Sequence, residues 1–332
     1  MIQVSELSKT YKRQIRQKGF ANNLASLFVR KYEDIPAVKN ISFSIAEGEI
    51  VGFIGPNGAG KSTTIKMLSS ILTPTSGCVT VDGIDPAKHR KENAMKIGVV
   101  FGQRSQLWWD IPVIESYKLL KYMYKVEDKR FEANLGLFKE LLGLGDFLNA
   151  PVRQLSLGQK MRAELAAALL HDPRILYLDE PTIGLDVLVK EKIRQFIGDI
   201  NAEKKVTIVL TTHDIGDIEK LCKRVIVIDK GGLVFDDDLK LLERLYVCEE
   251  SIILELEDPS VGPEDLRTLF PDMDFKKRDS EIVITYRNDR YKAAQIMQEL
   301  FGRYRVKDFT VKKAEIESII RNVYAGTAAE TI

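Results

Sequence analysis

Cysteine is scarce in this 332-residue chain: Cys78, Cys222 and Cys248 stand far apart, with no C-x-x-C spacing. That argues against a disulfide framework or a thiolate zinc knuckle and fits a reducing cytosol. Long apolar runs are missing as well. No stretch approaches the roughly 18 to 20 uninterrupted apolar residues of a membrane span, so any membrane role is expected to come through a partner. The opening "MIQVSELSKTYKRQ" lacks the apolar segment of a secretory signal. Charge of one sign is absent too. A formal net charge of +1 removes the bulk attraction for polyanions and argues against general nucleic-acid binding. Tryptophan occurs twice, side by side at Trp108 and Trp109 in "GVVFGQRSQLWWDIP". Such a pair could fill a core, form an adenine platform or face a partner.

What is present describes an ordinary globular protein: 45% apolar and 29% charged residues. At roughly 150 residues per domain the length suggests about two domains. "EIVGFIGPNGAGKSTTIKMLSSIL" predicts a strand from Ile50 to Ile54, a glycine-rich turn and a helix with Ile65, Leu68 and Leu72 on one face. "PRILYLDEPT", "KVTIVLTTHD" and "RVIVIDKGG" read as further buried strands. Short β-branched runs alternating with helical segments predict an α/β fold with a largely parallel sheet. The stretch from about 104 to 165 is helical in pattern and reads as an inserted helical subdomain. Past about residue 245 the texture changes to "ESIILELE", "SEIVITYR" and "YRVKDFTVK" as strands, with "GPEDLRTLF" and "DRYKAAQIMQELF" as helices. A small α+β domain over 245–332 is expected, closing in a helix "KAEIESIIRNVY" and a frayed tail.

"GPNGAGKS", Gly55 to Ser62, fits G-x-x-x-x-G-K-[ST] between a strand and a helix, the context a phosphate-binding loop requires. Glycines 55, 58 and 60 let backbone N–H groups converge on phosphate oxygens, and the following helix adds the positive end of its dipole. Lys61 is expected to reach the β- and γ-phosphates and Ser62 to ligate Mg2+. Gly55, Pro56, Asn57, Gly58, Ala59, Gly60, Lys61, Ser62 and Thr63 are thus the candidate nucleotide contacts. Asp179 and Glu180 end the strand "ILYLDE", where ligands of α/β proteins bind. Asp179 is the candidate holder of Mg2+ and Glu180 the candidate general base for water.

"LSLGQKMRAELAAALLHDPRILYLDEPTIGLD" resembles the ABC-type ATPases, and the resemblance covers residues 1 to about 240. It implies a P-loop fold with a RecA-like core, an antiparallel β subdomain and a helical subdomain. It further implies that Ser156 and Gly158 of the signature, with Gln159 beside them, touch ATP held by an opposite subunit. Leu157 departs from the commonest pattern, which has glycine there. Gln103 matches the glutamine that contacts Mg2+ and the attacking water, Gly184-Leu185-Asp186 the loop lining the dimer seam, and His213 the switch histidine on the γ-phosphate. Tyr11 matches the aromatic that stacks on adenine, and Tyr32 competes with it because an insertion follows.

By the same resemblance the chain is the ATP-hydrolysing subunit of a transporter, most similar to exporter components of the ABC-2 type. It would act at the cytoplasmic face of the membrane with separately encoded permease subunits and a second copy of itself or a homologue. A soluble ABC ATPase of macromolecular assembly or translation is the alternative. The insertion over 12–36 places Phe20, Leu24, Leu27 and Phe28 on one helical face amid basic residues, suited to headgroups or permease helices, or to packing on its own domain. His89 and His171 match no motif. The resemblance sets the tryptophans just past Gln103, where the family receives its permease, and at least one is expected to face it.

Overall fold

A computed structural model describes residues 1–14, 32–102, 105–212, 214–246, 249–287 and 290–312. It divides into two compact units, Met1–Asp237 and Asp238–Ile332. In the first, chain order is β1 (Ile2–Gln14), β2 (Tyr32–Ile45), β3 (Ile50–Ile54), α1 (Lys61–Leu68), β4 (Ser76–Val81), α2 (Arg90–Lys96) and β5 (Ile97–Phe101). Three helices follow, α3 (Val113–Tyr124), α4 (Asp128–Leu142) and α5 (Leu157–Leu169), then β6 (Ile175–Asp179), α6 (Val187–Lys204), β7 (Thr207–Thr211), α7 (Ile215–Leu221) and β8 (Arg224–Asp229). Next come β9 (Gly232–Asp238), which crosses the division, and α8 (Leu239–Tyr246). The second unit continues with β10 (Glu249–Leu256), α9 (Pro263–Arg267), β11 (Asp274–Arg278), β12 (Glu281–Arg287), α10 (Ala293–Arg303) and β13 (Val306–Lys312).

The first unit holds two sheets. One is six-stranded in the order β5-β6-β7-β3-β8-β9. Its parallel pairs include Ile97↔Ile175, Ile175↔Thr207, Ile50↔Ile208 and Val51↔Arg224. All five residues of β7 are buried, as a parallel sheet covered on both faces demands. The loops that leave the C-terminal ends of β3, β6 and β7 carry the predicted phosphate loop, the acid pair and the Thr211-Thr212 segment. The second sheet, β2-β1-β4, is antiparallel and buries Ile2, Val4, Leu7, Ile41, Phe43 and Ile45. Its β1–β2 pairing runs out to Gln14↔Tyr32, with Lys12 opposite Asp34 and Arg13 opposite Glu33. The ends of the 12–36 insertion are therefore paired strand, and two of its basic residues face acids across the ladder. Its expected helical face lies outside the described residues.

Helix α1 stops at Leu68, one turn short of the predicted Leu72: Ser69 closes it and Ser70 turns left-handed (φ 65°). Leu72 still packs against the core from outside the helix. Helices α3 to α5 fill the 104–165 stretch, where the buried Tyr117 hydroxyl donates to Ala163 O at 2.9 Å. In the second unit four antiparallel strands, ordered β11-β12-β10-β13, bury Ile252, Leu254, Phe275, Ile282 and Ile284 with Ile296 and Leu300 of α10. Strand β11 went unforeseen because Phe275 is the only one of its five residues turned inward. The expected closing helix lies outside the described residues. Cys78 is exposed and Cys222 buried, both free thiols, and Cys248 lies outside the described residues.

Candidate nucleotide and catalytic site

The phosphate loop is built by close backbone approach. A Cβ on Gly55 would lie 2.4 Å from Ile228 O, and one on Gly60 would lie 2.5 Å from Ala37 O. Gly60 also caps α1 at φ 108°, a conformation no side-chain-bearing residue holds cheaply. The loop is anchored to the neighbouring turn by Gly231 N donating to Ala59 O at 3.1 Å, and Lys39 N in turn donates to Gly231 O at 2.7 Å. Within it, Lys61 Nζ folds back onto Gly55 O at 2.5 Å and Pro56 O at 3.3 Å. Burial lowers the Lys61 pKa, and the nearby Glu180 and Asp179 act against that fall. Asn57 and Gly58 are exposed, and Pro56, Ser62 and Thr63 are half-buried.

Ser62 Oγ donates to Asp179 Oδ1 at 3.1 Å, and Thr211 Oγ1 donates to the same oxygen at 2.6 Å. The structure thus joins two of the expected metal ligands across 117 residues of sequence. Glu180 holds a left-handed backbone (φ 57°) and donates its N–H to Thr211 O at 2.9 Å. Gly102 N donates to Asp179 O at 2.9 Å, which sets the residue preceding Gln103 against the acid pair. Gln103 and His213 themselves lie outside the described residues.

Ser156 caps α5 in a capping box. Its Oγ accepts from Gln159 N at 3.2 Å, and Gln159 Oε1 accepts from Ser156 N at 2.9 Å. Gln159 thereby shapes the helix start as well as standing beside the signature. A Cβ on Gly158 would lie 3.1 Å from Val189 of α6, and one on Gly184 would lie 3.3 Å from Leu157 Cδ2. The departure at Leu157 therefore fills space against Gly184 and leaves the Ser156 hydroxyl exposed. Asp186 caps α6, accepting from Val189 N at 3.0 Å.

Tyr11 is partly exposed and pairs with Ile35, two residues from the Ala37 that touches the phosphate loop, about 7 Å along the strand. Tyr32 lies five residues from Ala37, about 16 Å away, so position favours Tyr11 for adenine. Both tryptophans stand at the surface, Trp108 41% and Trp109 57% exposed, which sets the core-filling reading aside. The Lys160 ammonium of α5 sits 5.5 Å from the Trp109 ring.

Two buried carboxylates escaped the sequence reading. Glu164 of α5 grips the segment after Gln103: its side chain accepts from Ser105 Oγ and from Gln106 N (3.1 Å), and its backbone O accepts from Gln106 Nε2 (3.1 Å). Burial pushes its pKa up. Asp217 of α7 is fully buried and accepts from Thr182, Thr212 and Arg194. Neither is part of a motif; each is defined by partners distant in sequence.

Comparison with known proteins identifies the family. The family profile described as ABC transporter matches residues 38–183. The ABC transporter ATP-binding protein NatA of Bacillus subtilis is 34% identical over 226 residues, 67% of this chain and 90% of that relative. The Nod factor export ATP-binding protein I of Rhizobium meliloti is 38% identical over 211 residues, 64% of this chain and 62% of that one. A methionine import ATP-binding protein also matches, at 35% identity. Among solved structures, a dimeric post-hydrolysis ATP-binding cassette bound to ADP and Pi aligns at a TM-score of 0.60 and 31% identity, over 72% of this chain and 99% of that one.

Proposed function

This chain belongs to the ABC transporter family as an ATP-binding, ATP-hydrolysing subunit, and from that premise we propose how its residues perform the cycle. ATP lies along the phosphate loop with its adenine on Tyr11. Lys61 swings from Gly55 O and Pro56 O onto the β- and γ-phosphates, exchanging two carbonyl partners for charged oxygens. Mg2+ fits the donors present: Ser62 Oγ and Asp179 Oδ1 lie 3.1 Å apart. Among the described residues no cluster of three or more His, Cys, Asp or Glu could hold a metal alone. Ser62 and Asp179 would hold the ion, and water and phosphate oxygens would complete the all-oxygen ligand set that Mg2+ prefers. When bound, the ion supplies charge neutralisation on the phosphates.

Glu180 accepts the proton of the attacking water, with Gln103 and His213 orienting the water and the γ-phosphate. A second copy completes each site by presenting the Ser156 hydroxyl and the Gly158 N–H at the start of α5. ATP is then a switchable interface: closure assembles the site and hydrolysis releases it. The observation that carries this reading is the junction of Ser62, Asp179 and Thr211 on one carboxylate oxygen, directly beside Glu180.

No described helix is long and apolar enough to cross a membrane. Transport runs through integral permease subunits, the partners of this family, with this chain docked on their cytoplasmic side and Trp108 and Trp109 in the contact. Outward transport is the finer reading, supported by the export relative. The deciding test is Glu180→Gln. We expect ATP binding to persist, turnover to stall by 10²-fold or more, and closed dimers to accumulate on size-exclusion chromatography with ATP. Wild-type turnover in that variant removes Glu180 as the base.

A further inference from the structure

We propose that Asp217 is a positioning residue for hydrolysis, fixing the backbone that aims Glu180. Asp217 is fully buried in the first turn of α7. Its Oδ2 accepts from Thr182 Oγ1 at 2.5 Å and from Thr212 Oγ1 at 2.7 Å, and its Oδ1 accepts from Arg194 Nε at 2.6 Å. Arg194 compensates the charge and also reaches Asp214 at 3.1 Å. Arg194 Nε meets one oxygen of this buried carboxylate, and the lone pairs of the other need partners of their own. That other oxygen collects two hydroxyls, and both come from the segments that hold Glu180.

Thr182 lies in the turn that follows Glu180, where Ile183 N donates to Glu180 O at 3.4 Å and Leu185 N donates to Thr182 O at 3.3 Å. Thr212 directly follows Thr211, whose O receives the Glu180 N–H at 2.9 Å. Asp217 therefore ties the turn after Glu180 to the end of the neighbouring strand that receives its N–H, around a residue held at φ 57°. A residue with a side chain stays in the left-handed region only where its surroundings over-determine it, and such positions gather at functional sites. The side-chain hydrogen bonds of this clamp involve Thr182, Thr212 and Arg194 and none of the phosphate-loop residues, which run from the end of β3 into α1. Loosening the clamp displaces the Glu180 carboxylate while leaving the nucleotide's cradle intact. Catalytic groups are sensitive to this: a displacement of about 1 Å can cost on the order of 10²-fold in rate.

The inference rests on Glu180 as the base, and the experiment separates the two. Steady-state ATPase kinetics and ATP binding are measured on the full-length chain as wild type, Glu180→Gln, Asp217→Asn, Thr182→Val, and each of the latter two combined with Glu180→Gln. We expect Asp217→Asn and Thr182→Val to lower kcat on the order of tenfold or more, with KM and Kd for ATP within about twofold of wild type. In the Glu180→Gln background neither should slow the residual rate further, because the residue they aim is gone. Near-normal kcat in folded Thr182→Val overturns the proposal, whatever happens to melting temperature. So do losses that multiply with that of Glu180→Gln. Thr182→Val leaves the Arg194 pair intact, so it decides the matter even where Asp217→Asn fails to fold. Wild-type turnover in Glu180→Gln overturns the base assignment instead.

Discussion

Consider acidifying the protein through the range where histidine titrates. His171 follows α5 with its ring stacked on Tyr124 of α3, centroids 3.8 Å apart and planes within 9°. Its Nε2 lies 3.0 Å from Ile97 O and serves as the donor there, while Nδ1 is buried with no partner. Burial pushes its pKa down to about 4 from 6.5, against the opposing pull of the Ile97 carbonyl and Asp172, and Arg130 adds to the fall. The folded chain thus holds this ring neutral where the unfolded chain protonates it. Between pH 6.5 and 4 the unfolded state binds more protons, so stability falls as pH falls. At roughly 1.4 kcal/mol per pH unit the full loss from this residue is about 3 kcal/mol, a sizeable share of a domain's 5 to 15. The assay is urea unfolding by circular dichroism at half-unit steps from pH 4 to 7, for wild type and His171→Phe, which keeps an aromatic ring against Tyr124. We expect the stability difference to move in favour of the variant by about 3 kcal/mol over that window, because only wild type pays for the proton. Parallel curves would refute the reasoning and return the acid sensitivity to other groups.

Two further outcomes follow from the site. Gly60→Ala forces a Cβ to within 2.5 Å of Ala37 O at φ 108°, so it should abolish ATP binding in a fluorescent-nucleotide titration and cost about 1 to 3 kcal/mol in stability. Trp108→Ala and Trp109→Ala remove exposed rings, so melting should shift by less than about 1 kcal/mol equivalent and ATP binding should stay intact. Co-purification with the permease should weaken markedly for at least one of them; unchanged assembly for both would exclude that surface as the docking point.

The phosphate loop and the acid strand were legible because each is a local pattern: glycines where backbone comes within contact distance, and an apolar strand ending in acids. The Ser156 cap was equally local, its partner Gln159 being three residues on. What escaped was tertiary. Asp217 meets Thr182 across 35 residues and Glu164 meets Ser105 across 59, and no periodicity marks such pairs. The continued strand pairing of Lys12 and Arg13 escaped because their basic neighbours read as a helix flank, while the opposing Glu33 and Asp34 lie some twenty residues away. Helix α1 ended early because a left-handed Ser70 overrode an apolar spacing that continued to Leu72. The surface position of the tryptophans was open in the sequence, since a large aromatic beside a turn suits a core as readily as a contact.

That the two tryptophans are neighbours, exposed, and the only ones in the chain has an optical consequence. Excitation near the red edge of indole absorption addresses one location, between the segment after Gln103 and the start of α5. The Lys160 ammonium over Trp109 makes that emission sensitive to any shift of α5 against the ring. The unlabelled protein therefore carries its own dye at the surface we propose as the permease contact, and stopped-flow emission can follow that surface without adding an atom.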